Sequence, residues 1–559
     1  MSHALLLTAW IAPLAALLPA LHVNGRWWMT LAALPALALA LLAPAGTALE
    51  LPWLLLGVHL GLDATGRLFL LFSSLLWLSA GLYAALTLAR QADARRFRVF
   101  FLLAMAGNLL LILAADALTF YLGFALMGIS AYGLVVQRRS QHARRAGRIY
   151  LGWTLVGEVA LFSALVLLAA GDDSLRFADL AGRELPAPVV PLLLLGFGIK
   201  LALPGLHVWL PLTYAAAPAV AAAVLSGPMI KAGLLGWLRF LPPDAPGLAV
   251  WGGILLAVGL VGIILGIAAG LAQRDPRAVL GYSSIAKTGL ITAVFGSALL
   301  RPEAAPAVAA ALVLFAMHHL LVKGALFLGM GEWERAGSRP WVLAVLGLLA
   351  LALAGAPLTG GAAVKSALGA TLGDGGVNPG LIFALSGVGT VLLMTRFLWL
   401  LTRTPARAGA AVDRAAASWL ILALPASWLP QVFTGLPPSL AGLTPLAAGL
   451  VLAGPAWVLS RGRRRPRALI PPGDILQLLP RRVPQRLWRR ECKGAGERRL
   501  WPRRRSRAGQ GATPSLAVGG SLWLAVLVGL LAVLLFSGQS SARCLGPASG
   551  LPVASGGAS

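Results

Sequence analysis

Cysteines and acidic side chains are what this chain of 559 residues has least of. Its two cysteines, Cys492 and Cys544, form no C-x-x-C pair and have no histidine cluster beside them. That argues against a disulfide framework, a zinc site or an iron–sulfur site. No G-x-G-x-x-G stands in a strand–helix context, so no nucleotide cradle is indicated. Charged residues make up only 12% of the chain, too few for a large soluble surface. Asp and Glu number 19 against 46 Lys and Arg, giving a net charge of +27. Such a charge can indicate nucleic acid, but here much of the arginine lies in one run, 461–507, and the rest mainly in short loops. Basic loops beside apolar spans are topology signals, so no nucleic-acid partner is expected and the partner implied is the lipid bilayer.

What is abundant is apolar sequence, 58% of all residues. Apolar runs of roughly 17–25 residues recur throughout, about sixteen in all, each long enough to cross a bilayer. The expected fold is an all-α polytopic membrane protein of about 14–16 transmembrane helices. The basic loops around Arg90–Arg98, Arg138–Arg148, Arg274–Arg277 and Arg403–Arg414, and the 461–507 run, all fall on one side of this arrangement. The opposite loops, with Asp172, Asp173 and Glu184 or Arg301 and Glu303, carry few cations. The positive-inside rule makes the basic side cytoplasmic and puts the N-terminus outside, in the cell (inner) membrane. The first apolar run, MSHALLLTAW onward, lacks a basic leader and a cleavage site and reads as a retained span.

The expected organisation is N-terminal helices over 1–98, a first five-helix block over 99–240, and a second over 247–402. Further helices fill 403–460, a basic cytoplasmic linker runs over 461–513, and a last helix with a Gly/Ser/Ala-rich tail fills 514–559. An odd number of crossings inverts two successive blocks relative to each other, as in many transporters. The fourth span of each block is interrupted and carries a lysine: Lys200 near Pro204, and Lys365 after Pro357, Gly360 and Gly361. A lysine beside a helix break at matching positions of two blocks marks the broken helices as the place to look.

A lysine at bilayer depth costs roughly 2.5–3.5 kcal/mol on insertion scales, so it faces protein or a water-filled cavity unless it snorkels to an interface. Lys200 and Lys231 stand in neighbouring spans around Pro204, Pro211 and Pro218. With Glu158, Lys323 and Lys365 they form a set of ionisable groups in the central spans, to which His319, His207, His318 and Lys287 are candidate additions. Proton transfer needs such groups. Burial disfavours a charged lysine and a nearby carboxylate restores it, so a Lys–Glu pair that opens and closes is a proton switch. Histidine needs little tuning for the same work.

Several segments occur in an order that carries a resemblance. They are Ala115–Asp116, Leu126–Met127 with Ser130–Ala131–Tyr132, and Lys200–Leu201–Ala202 with His207–Val208–Trp209–Leu210–Pro211. Met229–Ile230–Lys231–Ala232–Gly233, Gln273–Arg274–Asp275, His319 with Lys323, and Gly355–Ala356–Pro357 with Lys365 follow. With them, from Leu62–Asp63 to Arg396, the chain resembles the antiporter-like membrane subunits of respiratory complex I, Mrp-type cation/proton antiporters and membrane-bound hydrogenases. The resemblance implies a proton- or cation-translocating subunit among other membrane subunits, a translocase component of an NADH:quinone oxidoreductase-like or hydrogenase-like complex. It implies no cofactor, metal or redox centre in this chain. Lys200 is then the lysine of the first half-channel and Lys231 the connecting lysine. Lys323 and His319 lie on a central polar axis, and Lys365 marks the exit half-channel. Related subunits also energise inorganic-carbon uptake, and a structural subunit with a decayed channel is the non-transport alternative. Two departures bear on this: the family's glutamate before Leu126–Met127 is Ala125 here, and its WLP-Asp-A-His pattern is Trp209–Leu210–Pro211–Leu212–Thr213–Tyr214. Glu158 is the acid expected to replace the missing one.

The topology is checked with reporter fusions. A reporter near Arg465 is expected on the cytoplasmic side and one near Asp173 outside; both on one side would overturn the span count.

Overall fold

A computed structural model of the chain describes residues 2–460, apart from 23–24, 55–56, 89–92, 172–173, 181–182, 243–245, 337–338, 373–378, 404–411 and 437–441. Cys492, Cys544, the basic linker and the last expected span therefore lie outside the described residues. Among those described, twelve helices are long and apolar enough to cross a membrane, and three shorter apolar helices accompany them. The chain is a mostly helical, multi-span membrane protein.

Two helices, α1 (Ser2–Ala20) and α2 (Gly25–Leu42), lead in. The second helix stops at Leu42, and a hairpin of β1 (Thr47–Leu51) and β2 (Val58–Leu62) follows, with Thr47 opposite Leu62 and Leu51 opposite Val58. Val58, Leu60 and Leu62 alternate inward, the period-two pattern of a half-buried strand. This hairpin is the departure from an all-helical expectation. It sits against the membrane-end loop before Asp116, where Leu60 bridges Ala114.

After α3 (Ala64–Thr87) the helices fall into two runs of the same order. The first comprises α4 (Ala94–Leu113), α5 (Ala117–Val135), α6 (Gln141–Gly171), the broken pair α7 (Val189–Leu201) and α8 (Trp209–Ala216), and α9 (Ala219–Phe240). The second comprises α10 (Ala249–Leu271), α11 (Pro276–Leu299), α12 (Ala305–Ala336), the broken pair α13 (Pro340–Ala354) and α14 (Gly360–Leu372), and α15 (Pro379–Thr402). The third helix is the long one in each, 31 and 32 residues. Then follow α16 (Arg414–Ala426) and α17 (Leu443–Ser460).

The scarce acids have local work that explains where helices begin. Asp63, Asp116, Asp275 and Asp413 each accept backbone N–H bonds at the start of a helix, from Gly66, Thr119, Arg277, and Ala415 with Ala416. A carboxylate there satisfies orphan donors and meets the positive end of the helix dipole. The same residues tie the ends of the bundle together. At one end Arg239 holds Asp63 at 2.6 Å and Arg176 holds Glu50 at 2.9 Å. At the other, Arg277 meets Glu334 at 2.7 Å, and Arg335 meets Glu332 at 2.7 Å and Asp413 at 2.6 Å. Arg335 and Glu332 lie three residues apart on one helix; the other pairs join loops or helix ends that are distant in the chain.

In lipid no hydrophobic drive brings helices together, so close backbone contact through small residues does. A Cβ on Gly107 of α4 would lie 2.4 Å from the backbone N of Met127 on α5, and one on Gly123 of α5 would lie 2.6 Å from the N of Leu111. The first two helices of the second run repeat the device: a Cβ on Gly259 would lie 2.3 Å from the N of Ala293, and one on Gly289 would lie 2.6 Å from the N of Ile263. Gly253, on the same helix as Gly259, has nothing within 4 Å of such a Cβ. Gly259→Leu is therefore expected to abolish stable insertion, with Gly253→Leu near wild type, measured as monodisperse protein after detergent extraction. Equal yields would remove the packing role of the glycines.

Candidate functional site

The site begins where α7 stops. Ala202 turns left-handed (φ 58°, ψ 51°), Leu203 N–H bonds back to the Gly198 carbonyl at 3.0 Å, and Pro204 prevents the helix from continuing. Pro211 does not break a helix as expected; it lies in the first turn of α8, where a missing N–H costs little. Pro218 opens α9, and Pro228, which the sequence reading passed over, sits in a wide π turn over Leu225–Met229 inside that helix. The second break repeats the first: Gly355 turns left-handed (φ 78°, ψ 42°) and Ala356 N–H bonds back to the Leu351 carbonyl at 3.0 Å.

The two break lysines do not occupy matching positions. Lys200 lies on the helix before its break, whereas Lys365 lies on α14, after its break. Lys200 is in the last turn of α7. Lys365 reaches back so that its Nζ donates to the carbonyl of Ala354, the last residue of α13. The Lys365 ammonium thus stands at the carbonyl end of a half-helix, where the dipole favours a cation.

Other lysines also use backbone carbonyls. Lys231 Nζ donates to Ser226 O at 3.1 Å, inside the π turn, and Lys323 Nζ donates to Leu280 O at 2.7 Å. Lys287 Nζ is 3.4 Å from Ser386 Oγ and 5.8 Å from the ring centre of Phe315. Lys231, Lys287 and Lys323 are fully buried. His319 is buried with no hydrogen-bond partner on either ring nitrogen among the described residues, and His318 has none on Nε2. The groups form a row. Lys231 is in electrostatic reach of Lys323 and His319, Lys323 of Lys287, and Lys287 of Lys365, with His318 beside Lys287 and Lys365. His207 is buried in the first break, its ring centre 6.4 Å from that of Tyr282.

Lys200 and Glu158 form a separate pair. Glu158, on α6, is 6% exposed and neither carboxylate oxygen has a hydrogen-bond partner among the described residues. Lys200 is its electrostatic neighbour. A Cβ on Gly128 of α5 would lie 3.1 Å from Glu158 Oε1 and 3.8 Å from Lys200 Nζ, so acid and ammonium border one bare patch of that helix. Ala125, at the position of the missing acid, lies one turn earlier on α5. Tyr150, Thr154 and Trp209 line a narrow void beside Lys200. The sequence reading missed Tyr150, although Tyr150, Thr154 and Glu158 follow one another at four-residue spacing on α6, a polar stripe that is legible in the chain. It also missed Glu332, a fully buried acid held by Arg335. Nothing in the local sequence separates that residue from its exposed neighbour Glu334. Among the described residues no group of three or more His, Cys, Asp or Glu could hold a metal ion.

Chemically, the arrangement offers lysine amines bonded to oxygens but, among the described residues, not to acids, and at Lys200 an acid whose oxygens have no hydrogen bond there. Such groups hold and release protons more readily than they stabilise a fold, because a buried charge without a counter-ion is costly.

A family described as NADH:quinone oxidoreductase/Mrp antiporter, transmembrane, matches residues 114–392, which contain Glu158 and all five lysines of the site. An uncharacterized protein of Mycobacterium tuberculosis is 34% identical over 342 residues, covering 59% of this chain and 53% of that protein. Hydrogenase-4 component B of Escherichia coli is 30% identical over 326 residues, covering 53% of this chain and 48% of that protein. The chain spans about half the length of these curated relatives. A chain in the structure of respiratory complex I from Thermus thermophilus with bound NADH superposes with a TM-score of 0.67 at 25% identity, covering 81% of this chain and 100% of that one.

The role of Glu158 is open to a direct check. Glu158→Gln is expected to lower ion-coupled activity in membrane vesicles by about a hundredfold, the scale of a positioned proton-transfer group, and Ala125→Glu in that background to restore much of it. Unchanged coupling with Gln at 158 would remove Glu158 from the site.

Proposed function

Because the chain belongs to the NADH:quinone oxidoreductase/Mrp antiporter family, we propose that it is the proton- or cation-translocating membrane subunit of a multisubunit complex I-like, hydrogenase or Mrp-type assembly. It works beside other membrane subunits in the cell membrane, with the N-terminus outside and the basic loops cytoplasmic. The blocks 99–240 and 247–402 act as two inverted half-units around their broken helices. The observation that carries this reading is the row of fully buried Lys231, Lys323 and Lys287 and half-buried Lys365, bonded to carbonyl or hydroxyl oxygens rather than to acids.

In this reading a proton taken up at Lys200 near Glu158 is passed by way of Lys231 into the row through Lys323 and His319, and Lys365 gives access to the opposite side. Neighbouring ammonium groups repel, so charging one disfavours charging the next. A proton arriving at one end therefore promotes release further along, and water bridges between groups carry the transfer. Energy for directional movement comes from the partner subunits, since this chain is assigned no redox group of its own. Ala125 speaks for a decayed channel, but the retained lysines and the Glu158 carboxylate favour transport.

Lys200→Ala and Lys365→Ala are each expected to abolish ion-coupled activity in inverted vesicles, at normal assembly, because each removes a proton carrier rather than a packing group. Transport at the wild-type rate by either variant would return that lysine to a structural role.

A further inference from the structure

Lys200 does not bond to its acid in this structure. Its Nζ makes a long contact, 3.5 Å, to the hydroxyl oxygen of Tyr150, and stands 5.3 Å from the ring centre of Phe124 and 5.8 Å from that of Tyr150. The Tyr150 hydroxyl donates its own hydrogen to Gly128 O at 2.9 Å, which turns its lone pairs to the ammonium. The Tyr150 ring is fixed in turn against Trp209, centroids 5.4 Å apart, and the Trp209 indole N–H donates to Ile199 O at 2.9 Å, next to Lys200 in the chain. Across the bare patch of Gly128 lies the Glu158 carboxylate, with no hydrogen-bond partner on either oxygen among the described residues.

We propose that Lys200 moves between two stations, the Tyr150 hydroxyl and the Glu158 carboxylate, and that Tyr150 is the positioning residue that holds it at the first. The proposal deepens the proposed function and rests on Lys200 being a proton carrier. The physical grounds are three. A lysine is a flexible stem with three donors, able to change acceptor by rotation. A long contact to a neutral oxygen, helped by two ring faces, is a shallow well, so leaving it costs little. Gly128 puts no side chain between the two stations; the Thr154 methyl borders the same patch, 3.1 Å from where a Cβ on Gly128 would lie. At Glu158 the ammonium meets a full charge. At Tyr150 it is held apart from that charge, and the carboxylate is left free to take up a proton. Without the first station the ion pair would be the standing state and the switch would stay closed.

The test uses the whole chain in its assembled complex, in native membrane vesicles. Tyr150→Phe keeps the ring, its contact with Trp209 and the cation–π face, and removes only the hydroxyl. It is expected to lower ion-coupled activity about tenfold at normal assembly, the scale of one hydrogen bond to a charged group. The infrared carboxylate band of Glu158, isolated as the difference from Glu158→Gln, is expected to shift to the position of a standing ion pair. Added to Glu158→Gln, Tyr150→Phe is expected to cause no further loss. Should Tyr150→Phe fail to assemble, Gly128→Ala puts a methyl group between the stations; it is expected to lower activity with the Glu158 band left as in the wild type. Wild-type activity and an unchanged band in Tyr150→Phe, with Lys200→Ala inactive, would overturn the two-station proposal alone. Wild-type activity in Lys200→Ala would overturn the proposal together with the reading beneath it.

Discussion

An ammonium group buried in a membrane bundle without a counter-ion is the constraint on which the rest of this structure depends. A continuous helix spends each of its interior carbonyls on its own N–H groups, so it has few to offer a buried cation. Here the chain supplies them by interrupting itself. The carbonyl end of α13 receives Lys365, the π turn around Pro228 presents Ser226 O to Lys231, and Lys200 stands in the last turn of α7. The breaks serve Lys365 and Lys231 in this way, whereas Lys323 bonds to Leu280 O within the continuous helix α11 and Lys287 to the Ser386 hydroxyl.

The frame that holds these breaks in place is built from small residues and a few acids. Pairs such as Gly107 with Gly123 and Gly259 with Gly289 bring backbones into contact, in the same two helices of each run. Asp63, Asp116, Asp275 and Asp413 cap helices at the bundle's ends. Arginines close those ends with ion pairs: Arg277 to Glu334, and Arg335 to Glu332 and Asp413. Acids placed this way are spent on architecture, which leaves the interior row of lysines without carboxylates and makes Glu158 stand out.

Gly128 connects frame and function. The same lack of a side chain that lets helices approach elsewhere here leaves acid and ammonium on a shared open patch, with Tyr150 bonded to the glycine's own carbonyl. An acid on α6 rather than on α5 approaches Lys200 from a different side, and the tyrosine two turns before it on α6 comes into range of the same ammonium. Glu158 and Tyr150 thus come to Lys200 from one helix.

Much of this was legible in the chain itself. Apolar runs of spanning length and lysines beside prolines follow from one-dimensional rules, because lipid requires every backbone group to be satisfied and makes every buried charge conspicuous. Lys200, Lys231, Lys323 and Lys365 could be named for that reason, as could Glu158. The hairpin at Thr47–Leu62 could not, since short apolar strands and helix ends look alike without a partner strand. Neither could the acceptors: Leu280 O, 43 residues before Lys323, and Ser386 Oγ, 99 after Lys287, become neighbours only when separate helices pack. Which residue a lysine needs is a matter of its own chemistry and is written locally. Which carbonyl, hydroxyl or carboxylate answers it depends on distances between helices, and those only the tertiary structure decides.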